Sequence, residues 1–532
     1  MTLHSHLRRE VHYGRVVSAH SDRPGTVLDM LSAAVASAPE RTAVVDGALR
    51  LTYAEVDGHV ATCAAALASY GVKAGDRVAL LLANRADVLV LMLAAARIGA
   101  ITVPMNIRQK PPETAYALNA SGAILLCHEA GLAGELPLPE DVPALRHCIA
   151  VDDDLRIWQH AAVQREPAEA EPSEEMPFCI LYTSGTTGRP KGALITHLGV
   201  LTSVLGAQQT LGLEDGEVTV MPVPASHITG IVLQLMLTLR VAGTLILMRE
   251  FKARRFLEIA SREGMTFTSM VPAMYVLCLM DDAYDSFDLS HWRVGTFGGA
   301  PMPDSVIADL ARRNPALRLS NIYGATETTS PAVIMPAAET AERSHQVGRP
   351  LPYCELLIMD DEGREVPRGQ QGEIWIAGPM VIPCYWNDPE ATASAFVGGH
   401  WRSGDIGSLD EDGFLQLFDR KKDMINRGGF KIYSVEVENV LASHPSVIEV
   451  GVVGRPCPVL GERSEAFVYV REAIADDALR AYCAARLSDY KIPDAFTILS
   501  EALPRNANGK LLKTALREQA MARLQKTGTA AS

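Results

Sequence analysis

Residues 182–192 read YTSGTTGRPKG, and their types suit the holding of a polyanion. Gly185, Gly188 and Gly192 let successive backbone N–H groups converge on an anion, Ser184, Thr186 and Thr187 add hydroxyl donors, and Lys191 adds a charge. Residues 178–183 before this stretch and 193–196 after it read as strands, so Thr183 ends one strand and the loop returns the chain as another. The spacing is not that of a G-x-x-x-x-G-K-[ST] phosphate loop, which opens a helix, and Ser184 does not sit in a G-x-S-x-G elbow. A second set lies in NIYGATET (321–328). An aromatic face at Tyr323, a hydroxyl at Thr326 and a carboxylate at Glu327 are the parts a metal-bound nucleotide needs.

YTSGTTGRPKG resembles the signature of the adenylate-forming superfamily, which includes acyl-CoA synthetases, peptide synthetase adenylation domains and firefly-type luciferases. The resemblance continues in order along most of the chain. In NIYGATET it implies that Asn321, Tyr323 and Gly324 belong to the nucleotide site, Tyr323 stacking on adenine, with Thr326 touching the α-phosphate and Glu327 binding Mg2+. FGGAPMP (297–303), with Gly299, Ala300 and Pro301, is similar to the family's segment lining the adenine and acyl pockets, and GEIWIAGP (372–379) to a structural strand near it. In WRSGDIG (401–407) Asp405 matches the aspartate that accepts from the ribose hydroxyls, and Arg420 matches the arginine that donates on the ribose side. His227, in PASHITG (224–230), matches a position bordering the acyl pocket.

Three further matches imply movement and a thiol acceptor. Lys510, in LPRNANGK (503–510), resembles the family's catalytic lysine, whose charge offsets the repulsion between a carboxylate and the α-phosphate. Gly429 and Phe430, in RGGFKIYSVEVE (427–438), match positions lining the passage of the pantetheine arm of coenzyme A, while Lys422 matches the hinge. Lys431 stands where aromatic-acid ligases carry glutamine, so that contact does not transfer.

The elements that must position these residues follow an α/β pattern. Residues 78–83 read as a buried strand, Asn84 as the cap of a helix reaching Ile98, and 101–103 as the next strand. Thr52 and Glu55 form a capping box before another helix, after a strand pair around Asp46-Gly47. Strands and helices alternate again over 245–294, which predicts a parallel-rich sheet. Residues 164–177, rich in Glu, Pro and Ala, read as an exposed connection. The charged run FDRKKDMINR (418–427) precedes a new compact pattern. The expected division is therefore a large domain of layered α/β subdomains, 1–419, and a small mobile α+β domain, 420–532, hinged at 420–422.

At 532 residues the chain is long enough for more than one core, and 48% hydrophobic with 21% charged residues is a globular balance. A net charge of -14 disfavours nucleic acid as a partner. Nine cysteines without a C-x-x-C pair argue against a zinc site or disulfide framework and for a cytoplasmic chain. The apolar run 88–96 is too short to span a bilayer, and no apolar core follows the charged start as in a secretory signal.

The resemblance thus implies an acid–thiol ligase using ATP, Mg2+ and coenzyme A, acting on a small carboxylic acid through an acyl-adenylate. The chain stops soon after Lys510 without a carrier domain, which favours the diffusible thiol over a separate carrier protein, the main alternative. A nucleotide-binding protein without catalysis fits less well, since Lys510, Glu327 and Asp405 are all present. Gly298 and Gly299 are expected to leave room in the acyl pocket for a medium-chain, cyclic or aromatic acid.

Overall fold

Thr52 and Glu55 do cap one another, the Glu55 backbone N–H donating to the Thr52 hydroxyl at the start of the helix Tyr53–Ser69. The computed structural model describes residues 7–151, 173–183, 189–505 and 511–529, so most of the connection expected at 164–177 lies outside the described residues. The chain forms two compact units. One comprises Met1–Leu357, Trp375–Arg402 and Asp410–Leu415, and the other Ile358–Ile374, Ser403–Leu409 and Gln416–Ser532.

The first unit is built on two parallel-rich sheets, as the alternating pattern predicts. One has six strands in the order Lys191–Thr196, Pro177–Thr183, Ile101–Pro104, Arg77–Leu81, Leu125–Glu129, His147–Val151. All are parallel except Lys191–Thr196, which returns antiparallel on Pro177–Thr183 with Lys191 opposite Thr183. The other has nine strands, and its parallel run is Arg318–Tyr323, Val294–Gly298, Phe267–Met270, Val218–Met221, Thr244–Leu247, Thr42–Asp46. The helix Ala86–Arg97 is buried at every position from Ala86 to Ala96, which explains its unbroken apolar run as core. Among the described residues no helix is long and apolar enough to cross a membrane.

Asn84 departs from its expected role. The helix is capped at Arg85 without a side-chain bond. The buried Asn84 amide instead donates to the carbonyls of Met221, Val223 and Met248 at 3.3, 3.0 and 2.9 Å and accepts from the Ala225 N–H at 2.7 Å. A buried carboxamide must satisfy both ends, and the strand-end carbonyls of the neighbouring sheet use it more fully than one helix N–H would.

The second unit contains a five-stranded sheet ordered Phe430–Ile432, Ile425–Arg427, Gly461–Val470, Val447–Cys457, with Ala495–Leu499 parallel on the other side of Gly461–Val470. Period-two alternation feeds two cores: Ala466 and Val468 pack with Val437, Leu441 and Leu479, whereas Phe467 packs with Leu503, Leu516 and Ala520. Burial of Phe467 alone contributes about 1.5–3 kcal/mol. The helices Ser434–Ala442, Asp476–Ala484 and Lys513–Thr529 complete the unit.

Candidate active site

In the nine-stranded sheet the candidate residues follow the carboxyl ends of parallel strands, where an open α/β sheet presents its ligand-binding loops. Val294–Gly298 delivers Gly299, Ala300 and Pro301, all exposed, and Arg318–Tyr323 carries Asn321 and ends on Tyr323. Asn321 is buried, its amide donating to the Gln346 carbonyl at 3.4 Å and its backbone carbonyl accepting from Met335 at 2.8 Å. The loop after Val218–Met221 carries His227, whose side chain is exposed and whose Nδ1 accepts from the Thr229 N–H at 3.2 Å.

The two adjacent glycines do different work. Gly298 pairs with Ile322, and a Cβ there would lie 2.4 Å from the Ile322 carbonyl oxygen, so its small size serves strand approach rather than pocket room. Gly299 has φ +78° and faces open space, and it alone fits the expectation of room.

Glu327 lies on the single turn Thr326–Thr328. The turn is pinned where the Ala325 N–H donates to the Thr328 hydroxyl at 2.9 Å and the Ile382 N–H to the Glu327 carbonyl at 2.9 Å. The buried Glu327 carboxylate accepts from the Tyr385 hydroxyl at 2.9 Å. Tyr385 arrives on residues 384–386, which lie along the edge strand Lys191–Thr196: Trp386 N–H donates to Gly192 at 2.7 Å and Leu194 N–H to Cys384 at 3.3 Å. The Lys191 ammonium stands over the Tyr385 ring, 5.2 Å from its centre. The strand carrying Lys191 and the turn carrying Glu327 therefore meet at one phenol. Burial, and after it the charge of Glu327, push the Tyr385 hydroxyl well above its ordinary pKa, so it keeps its proton and donates.

Tyr385 was absent from the residues expected at the site. Its signal was an aromatic pair, Tyr385-Trp386, between the apolar run MVIPC and the polar Asn387-Asp388 following GEIWIAGP.

Within the second unit, Asp405 and Arg420 meet as an ion pair at 3.2 Å, on adjoining strands His400–Leu409 and Leu415–Arg420. Lys422 follows in a turn whose Asp423 and Met424 N–H groups donate back to the Arg420 carbonyl. Burial holds the Lys422 ammonium below its usual pKa, and Arg517 donates to its carbonyl at 3.2 Å. Gly428 and Gly429, at φ +60° and +90°, make the tight turn between Ile425–Arg427 and Phe430–Ile432, a geometry that favours glycine at both places. Phe430 is exposed and stacks on Tyr490 at 4.7 Å.

A partly buried chain of polar groups, not anticipated from sequence, adjoins Arg420. The Asp419 carboxylate accepts from the Ser434 hydroxyl at 2.6 Å, that hydroxyl accepts from Lys513 Nζ at 2.6 Å, and Lys513 pairs with Glu438 at 2.7 Å. Burial raises the Glu438 carboxyl above its ordinary range, and Lys513 opposes the rise. Ser184, Gly185, Thr186, Thr187, Gly188 and Lys510 lie outside the described residues.

Magnesium takes hard oxygen ligands, commonly one or two carboxylates completed by phosphate oxygens and water. The Glu327 carboxylate is a ligand of that kind, on the same turn as Thr326 and linked through the Tyr385 phenol to the Lys191 ammonium.

Comparison with known proteins identifies the family. Residues 31–386 match the family model of the AMP-binding enzyme and 436–510 that of the AMP-binding enzyme C-terminal domain. The chain is 33% identical over 482 residues to a long-chain-fatty-acid–CoA ligase, FadD13, of Mycobacterium tuberculosis, covering 90% of this chain and 95% of that protein. It is 35% identical over 487 residues to a feruloyl-CoA synthase of Amycolatopsis, covering 90% and 96%. Its structure matches that of O-succinylbenzoate coenzyme A synthetase (MenE) from Bacillus subtilis in complex with ATP and magnesium ion, with a TM-score of 0.83, 30% identity, and coverage of 92% and 98%. The chain belongs to the AMP-binding enzyme family and is an AMP-forming acid–thiol ligase.

Proposed function

We propose the following division of labour among the residues of this ligase, which activates a carboxylic acid as its acyl-adenylate and passes the acyl group to coenzyme A, giving acyl-CoA, AMP and pyrophosphate. The observation that carries the assignment is the meeting of Lys191 and the buried Glu327 at Tyr385, a cation and a carboxylate held at one ring. Thr183 to Gly188 and Lys191 hold the phosphates, Tyr323 and Gly299 to Pro301 receive adenine, and Asp405 accepts from the ribose hydroxyls with Arg420 beside it. Glu327 and Thr326 would hold the magnesium ion, which when bound neutralises phosphate charge.

The substrate carboxylate is ionised at neutral pH and attacks the α-phosphorus without a base. Lys510 offsets the repulsion between the two anions, and positioning supplies the remainder of the rate. The part of the chain after Lys422 then turns about that residue, withdrawing Lys510 and presenting Gly429 and Phe430 to the pantetheine arm, whose thiol attacks the acyl carbonyl and releases AMP. The hinge and the 1–419 and 420–532 domains belong to this proposal.

The acid is assigned to the medium-chain, cyclic or aromatic class, on the open space at Gly299. The protein is placed in the cytoplasm, which suits nine unpaired cysteines. The test is pyrophosphate release over a panel of acids, followed by thioester formation with coenzyme A. An acid that gives adenylate but transfers only to a carrier protein would refute the assignment of acceptor, and release with none of the acids would refute the assignment of class.

A further inference from the structure

We propose that Tyr385 is a positioning residue for the metal nucleotide, its hydroxyl holding the Glu327 carboxylate and its ring face holding the Lys191 ammonium at one fixed spacing. The inference rests on the reading of Glu327 as the magnesium ligand and Lys191 as a phosphate cation. Each of those side chains has several rotatable bonds, and each stands on a different element, a single turn and an edge strand. Tyr385 is itself fixed on every side. Its neighbours Cys384 and Trp386 are hydrogen-bonded into the Lys191–Thr196 edge, its own N–H donates to the Thr392 hydroxyl at 3.0 Å, and its ring packs on Phe396 at 6.0 Å.

The phenol engages its two partners through different parts of the ring. The O–H donates in-plane to Glu327 Oε1 at 2.9 Å, and the electron-rich face receives the ammonium at 5.2 Å. One rigid group thus sets both the rotamer of a metal-binding carboxylate and the place of the nearby cation. Groups that orient a metal ligand from behind matter nearly as much as the ligand, and losing one costs about 10–100-fold in metal affinity or activity.

The test uses the full chain with the α,β-methylene analogue of ATP and Mn2+ as the probe, its binding followed by electron paramagnetic resonance. Tyr385→Phe keeps the ring against Lys191 and Phe396 and removes only the hydroxyl. It is expected to raise the Mn2+ dissociation constant by about 10-fold and the Mg2+ concentration for half-maximal pyrophosphate release by a like factor. Activity should recover at saturating Mg2+. Placing 4-aminophenylalanine at position 385 restores an in-plane donor and is expected to bring Mn2+ affinity back toward the wild-type value. A folded Phe variant with unchanged Mn2+ affinity, or an amino variant as weak as the Phe variant, overturns the proposal. Glu327→Gln, run in parallel, separates the two readings. If it too leaves Mn2+ binding unchanged, the metal assignment of Glu327 fails; if it abolishes binding while Tyr385→Phe does not weaken it, only the role of Tyr385 fails.

Discussion

The same small substitution at two adjacent glycines should fail for opposite reasons. At Gly298, a Cβ would stand 2.4 Å from the Ile322 carbonyl oxygen and 2.8 Å from Ile322 Cγ1. Ordinary contact begins near 3.4 Å, so the parallel strands Val294–Gly298 and Arg318–Tyr323 must part by up to about 1 Å, an overpacking that costs about 1–3 kcal/mol. The displaced strand ends in Tyr323, so Gly298→Ala should raise the KM for ATP as well as lower stability. At Gly299 nothing lies within 4 Å of an added Cβ, but φ is +78°, and an alanine held there costs about 1–2 kcal/mol of backbone strain. Asparagine distinguishes the causes, because it tolerates the left-handed region yet is larger than alanine. Gly299→Asn should be milder than Gly299→Ala, whereas Gly298→Asn should be more damaging than Gly298→Ala. Urea unfolding of the four variants, with ATP–pyrophosphate exchange for the KM, makes the measurement. An identical Ala-to-Asn ranking at both positions would refute the reasoning.

Lys510→Ala should lose adenylation by about 100-fold or more yet still convert supplied acyl-adenylate and coenzyme A into thioester, since its charge serves only the first step; equal loss in the two half-reactions would show otherwise. Asp405→Ala should raise the KM for ATP by roughly 30-fold, about 2 kcal/mol for charged hydrogen bonds to ribose, and change stability by less than about 1 kcal/mol because its pair with Arg420 is partly exposed. An unchanged KM in that variant removes Asp405 from the ribose site. His197 is buried, accepts from the Val27 N–H at 3.2 Å, and is held by burial down to about 4 from 6.5. The unfolded chain therefore takes up the proton first, so stability should fall as pH drops from 6.5 to 4, by about 3 kcal/mol, and change no further through this group below that. Urea midpoints of His197→Gln across that window should lack this component.

What could be read from the sequence was what local spacing specifies. The strands Pro177–Thr183 and Lys191–Thr196, the Thr52 capping box and the βαβ pattern each lie within a few turns of chain, so residue type and period suffice to place them. Tyr385 was not legible because its partners are remote: Glu327 is 58 residues away, and Lys191 is reached only by edge pairing of residues 384–386. Gly298 and Gly299 look alike as letters; which one lies opposite a carbonyl depends on strand register. Asn84 shows the same limit, for a cap and a buried bridge call for the same side chain, and only the loop at 223–225 distinguishes them.

The proposed turn about Lys422 has a structural consequence within the second unit. Asp419 lies before that residue and Ser434 after it, yet the buried Asp419 carboxylate accepts from both the backbone N–H and the hydroxyl of Ser434, and Lys513 reaches the same hydroxyl. Hydrogen bonds to a charged group contribute about 1.5–3 kcal/mol each, and leaving the carboxylate buried without them would cost more. Rotation about Lys422 therefore requires Asp419 to gain water or a new donor as Ser434 leaves. Lys421 makes no such tie: its ammonium pairs with Asp361 at 2.7 Å and Glu373 at 3.4 Å, and all three residues lie before Lys422. Those pairs can therefore stay intact through the turn, whereas the buried bonds between Asp419 and Ser434 cannot. The proposed turn must therefore part residues 418–419 from 433–434, where Phe418 also stacks on Tyr433 at 5.4 Å, next to the residue assigned to the hinge.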